Sequence, residues 1–206
     1  MSKIKNTKTE LKAQKDALVR FEKFLPMLQL KKQQLQAEIV VIRHKIDVLE
    51  EKIRTTESAM ESWVSLLGDN SVEIPVVLDD IQTSSRNIAG LTVPVFESIQ
   101  THRPETDLFS TPAWVDDAAI ACETLLRHKA EITILKREWG LIDEELHTTS
   151  QRVNLFEKIK IPECKENIRV IRIHIGDEQT SAVARGKIAK GRSHKEDEAF
   201  SEEVVA

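Results

Sequence analysis

The chain reads as all-α: a long antiparallel two-helix coiled coil with a small middle segment that contains a β-hairpin. Three observations predict this. Apolar residues recur in sevens toward both ends, a stretch between them rich in Pro, Gly and β-branched residues breaks that spacing, and the composition is poor in aromatics. Of 206 residues only 4% are aromatic, with no Tyr, while 31% are charged. Phe, Tyr and Trp usually supply much of the buried area of a globular core, whereas abundant charge suits long helices with solvated flanks. The expected segments are a first coiled-coil helix over 1–67, a middle segment over 68–114, a second coiled-coil helix over 115–184, and a charged, disorder-prone tail over 185–206.

The first helix carries a continuous seam. One row runs Ile4, Leu11, Leu18, Leu25, Lys32, Ile39, Ile46, Ile53 and Met60. The other runs Thr7, Gln14, Phe21, Leu28, Leu35, Ile42, Leu49, Thr56 and Trp63. All but Lys32, Thr7, Gln14 and Thr56 are apolar, and the register does not slip. This is the heptad pattern of a coiled coil. Such a helix is about 90 Å long, and no compact domain of this size would hide it, so a partner along its length is required.

A second seam supplies the partner. Its rows are Ala118, Leu125, Ile132, Trp139, Leu146, Val153 and Ala121, His128, Leu135, Ile142, Thr149, Phe156. Beyond Pro162 the pattern resumes at Ile161, Ile168 and Ile175 with Cys164 and Ile171, one residue late. The proline thus marks a register shift. It removes a hydrogen bond and crowds the carbonyl of Lys158, so a kink is expected. The alternative is that Pro162 opens a separate final helix. In an antiparallel hairpin with Leu66 beside Asp116, Pro26 would face residue 156 or so, which suggests a shared bend and leaves the end of the second helix protruding past the first.

Between the helices, Gly68 and Asn70 read as helix terminators. β-Branched runs flank "RNIAG", a hairpin with its turn at Gly90, and Pro75 and Pro94 mark edge strands. Thr111 is placed as an N-cap, with Pro112 at the first helical position. Trp63, Trp114 and Trp139 are read as packing anchors.

Catalytic chemistry finds no support. No Gly-rich phosphate loop, HExxH, CxxC or GxSxG occurs. The six histidines lack paired ligand spacing, and His128 reads as a buried seam residue. Asp143, Glu144 and Glu145 read as a solvated flank. Cys122 and Cys164 read as reduced packing residues of a cytoplasmic protein. The opening "MSKIKNTKTE" carries no secretory signal, and no run approaches the roughly 18 apolar residues of a membrane span, so a soluble chain without cofactor or metal is expected.

Charge is concentrated at the two termini. Lys3, Lys5, Lys8, Lys12 and Lys15 crowd the start; Arg185, Lys187, Lys190, Arg192 and Lys195 precede an acidic end. Lysines at a helix N-terminus oppose the macrodipole, so an external anion is expected to compensate, either an acidic protein collar or a nucleic-acid backbone.

Several stretches together resemble the D subunit, the central shaft, of the V/A-type rotary ATPases in its bacterial form. "NTKTELK" is similar to an opening Pro-Thr-Lys-x-x-Leu, with Asn6 in place of proline. "FLPMLQLKKQQLQAEI" occupies the place of an LL-x-x-K segment. "NIAGLTVPVF" resembles the hairpin motif IAG-x-x-VP through Ile88, Ala89, Gly90, Val93 and Pro94, and "TPAWVD" resembles the opening of the second helix. "RVNLFEKIKIPECKENIRVI" resembles RVN-x-x-E…IP…I-x-x-I through Arg152, Val153, Asn154, Glu157 and Pro162. The tail departs from the resemblance, because Gly186, Gly191 and an acidic end replace a Lys-rich helix.

The resemblance implies a non-catalytic rotor inside a ring of alternating A and B subunits. It implies contacts with the F subunit and with a funnel-shaped subunit on the membrane ring, and a cytoplasmic place peripheral to the inner membrane, without direct membrane insertion or nucleic acid. The ring-facing tip is then expected at Thr7, Lys8, Lys12, Arg185 and Lys187. The competing expectation is a structural coiled-coil adaptor that binds nucleic acid through its basic tip.

Overall fold

The structure, a computed structural model, describes residues 5–65, 76–103, 112 and 114–205, with side chains through Arg192. The expectations placed on Ile4, Leu66, Gly68, Asn70, Pro75 and Thr111 lie outside the described residues. The described chain is mostly helical. Helix α1 spans Lys8–Met60, strands β1 and β2 span Val77–Ile88 and Leu91–His102, α2 spans Trp114–Leu155, and α3 spans Ile161–Val205. A π-helical turn, Phe156–Lys160, joins α2 to α3. The chain divides into two compact units, one formed by Met1–Leu28 with Arg152–Ala206 and the other by Gln29–Gln151.

Helix α1 begins at a Thr-x-x-Glu sequence. The Glu10 amide donates to Thr7 Oγ1 at 3.2 Å, so the hydroxyl satisfies one of the donors that every helix start leaves free. The helix runs through Pro26. Its inward face follows the heptad rows: from Leu11 to Met60 each seam residue is withdrawn from solvent, with Leu35, Ile42, Leu49 and Met60 buried.

Within the unit Gln29–Gln151, Lys31 bonds Glu145 at 2.5 Å and Glu50 lies 3.8 Å from Lys136. Positions therefore rise along α1 as they fall along α2. Glu145 is half-buried in that pair, in contrast to the solvated flank expected of it. The other unit repeats the order: Asn167 reaches Gln14 at 3.5 Å, Lys165 pairs with Glu22 at 3.3 Å, and the rings of Phe21 and Phe156 lie 5.0 Å apart. The ring brought to Phe156 is that of Phe21, about 7.5 Å along α1 from Pro26.

Helix α2 departs from a simple seam in its middle. Trp139 lies on a seam row yet is 37% exposed, while Ala130, Ile134 and Glu138, off the rows, are buried. The hairpin meets this stretch: Arg86 bonds Glu138, and Ile88, Ala89, Leu91 and Val93 pack into a cluster with Leu35, Ile42 and Leu49 of α1 and Ile132, Leu135 and Ile142 of α2. Burying a side chain such as Val93 or Ile88 contributes about 1.5–3 kcal/mol, which ties the turn end of the hairpin to both helices.

The one-residue register shift is visible in the backbone. The Ile161 amide donates to the Phe156 carbonyl, a bond five residues back. Such a wide turn takes in one extra residue, and it falls where Pro162 can offer no donor. Leu155 and Ile161 both keep right-handed helical dihedrals, so α2 passes into α3 without a break. Burial then follows the shifted rows at Cys164, Ile168 and Ile171. Helix α3 continues through Gly186 and Gly191, and its side chains from Gly176 to Arg192 are exposed throughout.

Candidate functional site

The hairpin seat is the most elaborate polar and apolar arrangement among the described residues. β1 and β2 pair antiparallel with Ile88 opposite Leu91, and irregularities interrupt the ladder between Leu78 and Asp80 and between Gln82 and Thr83. Ala89 and Gly90 form the turn with φ of 51° and 86°. Two successive positive φ values give a turn whose twist matches that of the strands it joins. Glycine adopts such a φ freely, whereas alanine does so at a cost of about 1–2 kcal/mol. The Gly90 amide donates to Asn87 Oδ1 at 3.0 Å, which holds the turn. In a two-stranded sheet each strand is an edge, so Pro94 is tolerated opposite Ser85.

Charged groups fix both ends of the hairpin. Near the turn, Arg86 of β1 donates to Glu138 of α2 at 3.1 Å and to Glu38 of α1 at 3.4 Å. The Glu138 side chain is only 4% exposed, so Arg86 is the counter-charge of a nearly buried carboxylate. At the open end, the Thr101 hydroxyl and Arg103 donate to the two oxygens of Glu123 on α2, at 2.8 and 2.9 Å. These bonds, Thr101 first and Arg103 second, hold the Glu123 carboxyl below the usual carboxylate range. Across the strands His102 Nδ1 lies 2.7 Å from Asp79.

The Arg152–Pro162 stretch contains the end of α2, the π turn and the start of α3. Val153 is buried, while Arg152, Asn154, Glu157 and Pro162 are exposed, so this segment offers polar groups outward over an apolar anchor. Of the basic-end residues, Thr7 caps α1, Lys8 is its first residue, and Lys8, Lys12, Arg185 and Lys187 are all exposed. From the Gln14–Asn167 contact, Lys8 lies about 9 Å along α1, whereas Arg185 lies about 27 Å along α3.

Among the described residues no group of three or more His, Cys, Asp and Glu could hold a metal ion, and no helix is long and apolar enough to cross a membrane. Burial raises the thiol pKa of both Cys122 and Cys164, which keeps them protonated and poorly nucleophilic. His128 Nδ1 is buried on the seam without a hydrogen-bond partner among the described residues. Trp63 and Trp114 are half-buried. The sequence reading missed Arg86, Glu138 and Glu38. The signal for Thr7 as a cap was present in Thr-x-x-Glu.

Long helices with a docked hairpin define an architectural class for the described residues. Similarity to known proteins narrows that class: the family of ATP synthase D subunits matches residues 10–191. The D subunit of the V-type ATP synthase of Borreliella burgdorferi is 44% identical over 92% of this chain and 95% of its own length. The protein of the same description from Chlamydia trachomatis serovar L2 is 32% identical over 95% of this chain and 99% of its own. The chain belongs to the ATP synthase D-subunit family, and is accordingly a non-catalytic subunit of a V-type ATP synthase.

Proposed function

We propose that this subunit is the central rotor shaft of its complex, transmitting torque between a catalytic A/B ring and a membrane ring that moves protons or sodium ions. In this reading 1–67 and 115–184 are two strands of an antiparallel coiled coil, 68–114 is the hairpin-bearing middle, and 185–206 is the charged end. The carrying observation is the burial of α1, where the rows from Leu11 to Met60 are withdrawn from solvent while most positions between them stay exposed. A seam held by many apolar contacts resists sliding of one strand along the other. A two-stranded shaft also cannot share the three-fold symmetry of a ring of alternating subunits. Each catalytic interface then meets a different face, and rotation changes which interface is held open by differential contact.

Thr7, Lys8, Lys12, Arg185 and Lys187 form the ring-facing end in this proposal, with the F subunit and the funnel-shaped subunit as further partners and a cytoplasmic, peripheral location. The test is a reversible lock. A cysteine in place of Lys12 is oxidised to one on the inner wall of the ring in the purified complex. ATP turnover is expected to stop on oxidation and to return on reduction; turnover that continues with the bond formed rejects a rotating shaft.

A further inference from the structure

The two halves of the hairpin are held differently, within the unit Gln29–Gln151. The half beside the turn, 83–88 with 91–96, pairs without interruption and carries Ile88 and Val93, both buried in the cluster with α1 and α2. Arg86 fastens the same half to Glu138 and Glu38. The open half, 77–82 with 98–102, contains no buried residue.

Both irregularities of the ladder fall in or beside this open half. Gln82 pairs with Ser98 and Thr83 with Phe96, which leaves Glu97 unpaired; Leu78 and Asp80 pair with Thr101 and Gln100, which leaves Asp79 unpaired. A surplus residue breaks the ladder locally and bends the ribbon, so Glu97 lies at a joint between the seated half and the open one. Asp79 lies 2.7 Å from His102 Nδ1, a contact that ties the strands of the open half to each other and not to a helix.

Beneath the open half the contact with α2 is incomplete. Ser98 and Ile99 line, with Ile120, Thr124 and Arg127, a cleft of about 590 Å³, and Ile120 is 55% exposed. What fastens this half is one carboxylate, Glu123, bonded by the Thr101 hydroxyl and by Arg103 just past the end of β2. Arg103 and Glu123 are themselves exposed by 43% and 41%. Exposed pairs contribute little against water, so this fastening releases readily. Lifting the turn half would instead expose Val93 and strip the nearly buried Glu138 of its counter-charge.

We infer that the open half of the hairpin is a flap, hinged at Glu97 and latched to α2 through Glu123, which lifts while the turn half stays seated. Lifting bares Ile99 and the α2 surface from Ile120 to Arg127 and leaves the buried rows of α1 undisturbed. The subunit thus has a closed and an open form, set by a surface ion pair and independent of whether the subunit rotates.

The experiment measures nitroxide distances by double electron–electron resonance in the full chain. Labels are attached through a non-canonical amino acid at three exposed positions, so that the native cysteines stay unmodified: Lys129 of α2 is paired with Gln100 in the flap or with Thr92 beside the turn. Two distances are expected from Gln100 and one from Thr92. Glu123→Gln is expected to raise the long-distance fraction about three-fold. Thr101→Val and Arg103→Met, which act from the other side of the latch, are expected to raise it as well. Added salt is expected to do so in wild type through screening, but not in Glu123→Gln. A single short Gln100 distance in every variant, or a long one indifferent to the latch variants, overturns the flap. A Thr92 distance that lengthens in step also overturns it, because the hairpin would then leave as one body.

Discussion

Arg86 holds three elements with one guanidinium, since β1 carries it, α2 supplies Glu138 and α1 supplies Glu38. Removing one partner of a nearly buried pair costs more than removing both, because a lone carboxylate is left out of water. Arg86→Met is expected to lower stability by about 2–4 kcal/mol. The Arg86→Met/Glu138→Met double variant should recover most of that loss. Thermal melts of the four proteins in the cycle decide it, and equal losses in the single and double variants would show that the pair carries no coupling. None of this was legible in the sequence. Glu138 sits beside the seam residue Trp139, where a heptad count assigns solvent, and its burial comes from a hairpin remote in sequence. By contrast, the turn at Gly90 was legible because positive φ leaves a compositional mark.

Heptad counting located the buried rows of α1 and the one-residue slip after Pro162, because periodicity is a local property of the chain. What it could not specify was the means of the slip. The π turn Phe156–Lys160 supplies it through the hydrogen bond from Ile161 to Phe156. Nor could counting anticipate that α2 would be buried off its rows at Ala130, Ile134 and Glu138, the last of them bonded by Arg86 of the hairpin. If Pro162 and the turn before it shape a lever, Pro162→Ala should leave the complex assembled but change the ions moved per ATP hydrolysed. Reconstituted vesicles give that ratio directly, and an unaltered ratio in an assembled complex would reject the lever.

For the molecule as a whole, the rotor proposal assigns a role to the exposed charge of Lys8, Lys12 and Arg185. Reversing Lys8, Lys12 and Arg185 to Glu is expected to weaken association with the catalytic ring, more at low salt than at high, since screening shortens the reach of exposed charges. A titration against the ring at two ionic strengths tests it; equal affinity at the lower one would leave the basic end without a role. The π turn also carries a consequence for how the chain bears insertions and deletions. One residue turns a helix by about 100°, and the wide turn absorbs that surplus, so a single-residue deletion within 156–160 would restore ordinary α-helical bonding and leave Cys164, Ile168 and Ile171 on their buried face. The wide turn is what lets the helix beyond keep its angular phase, and drawing it into an α-helix without removing a residue would swing that face out of contact.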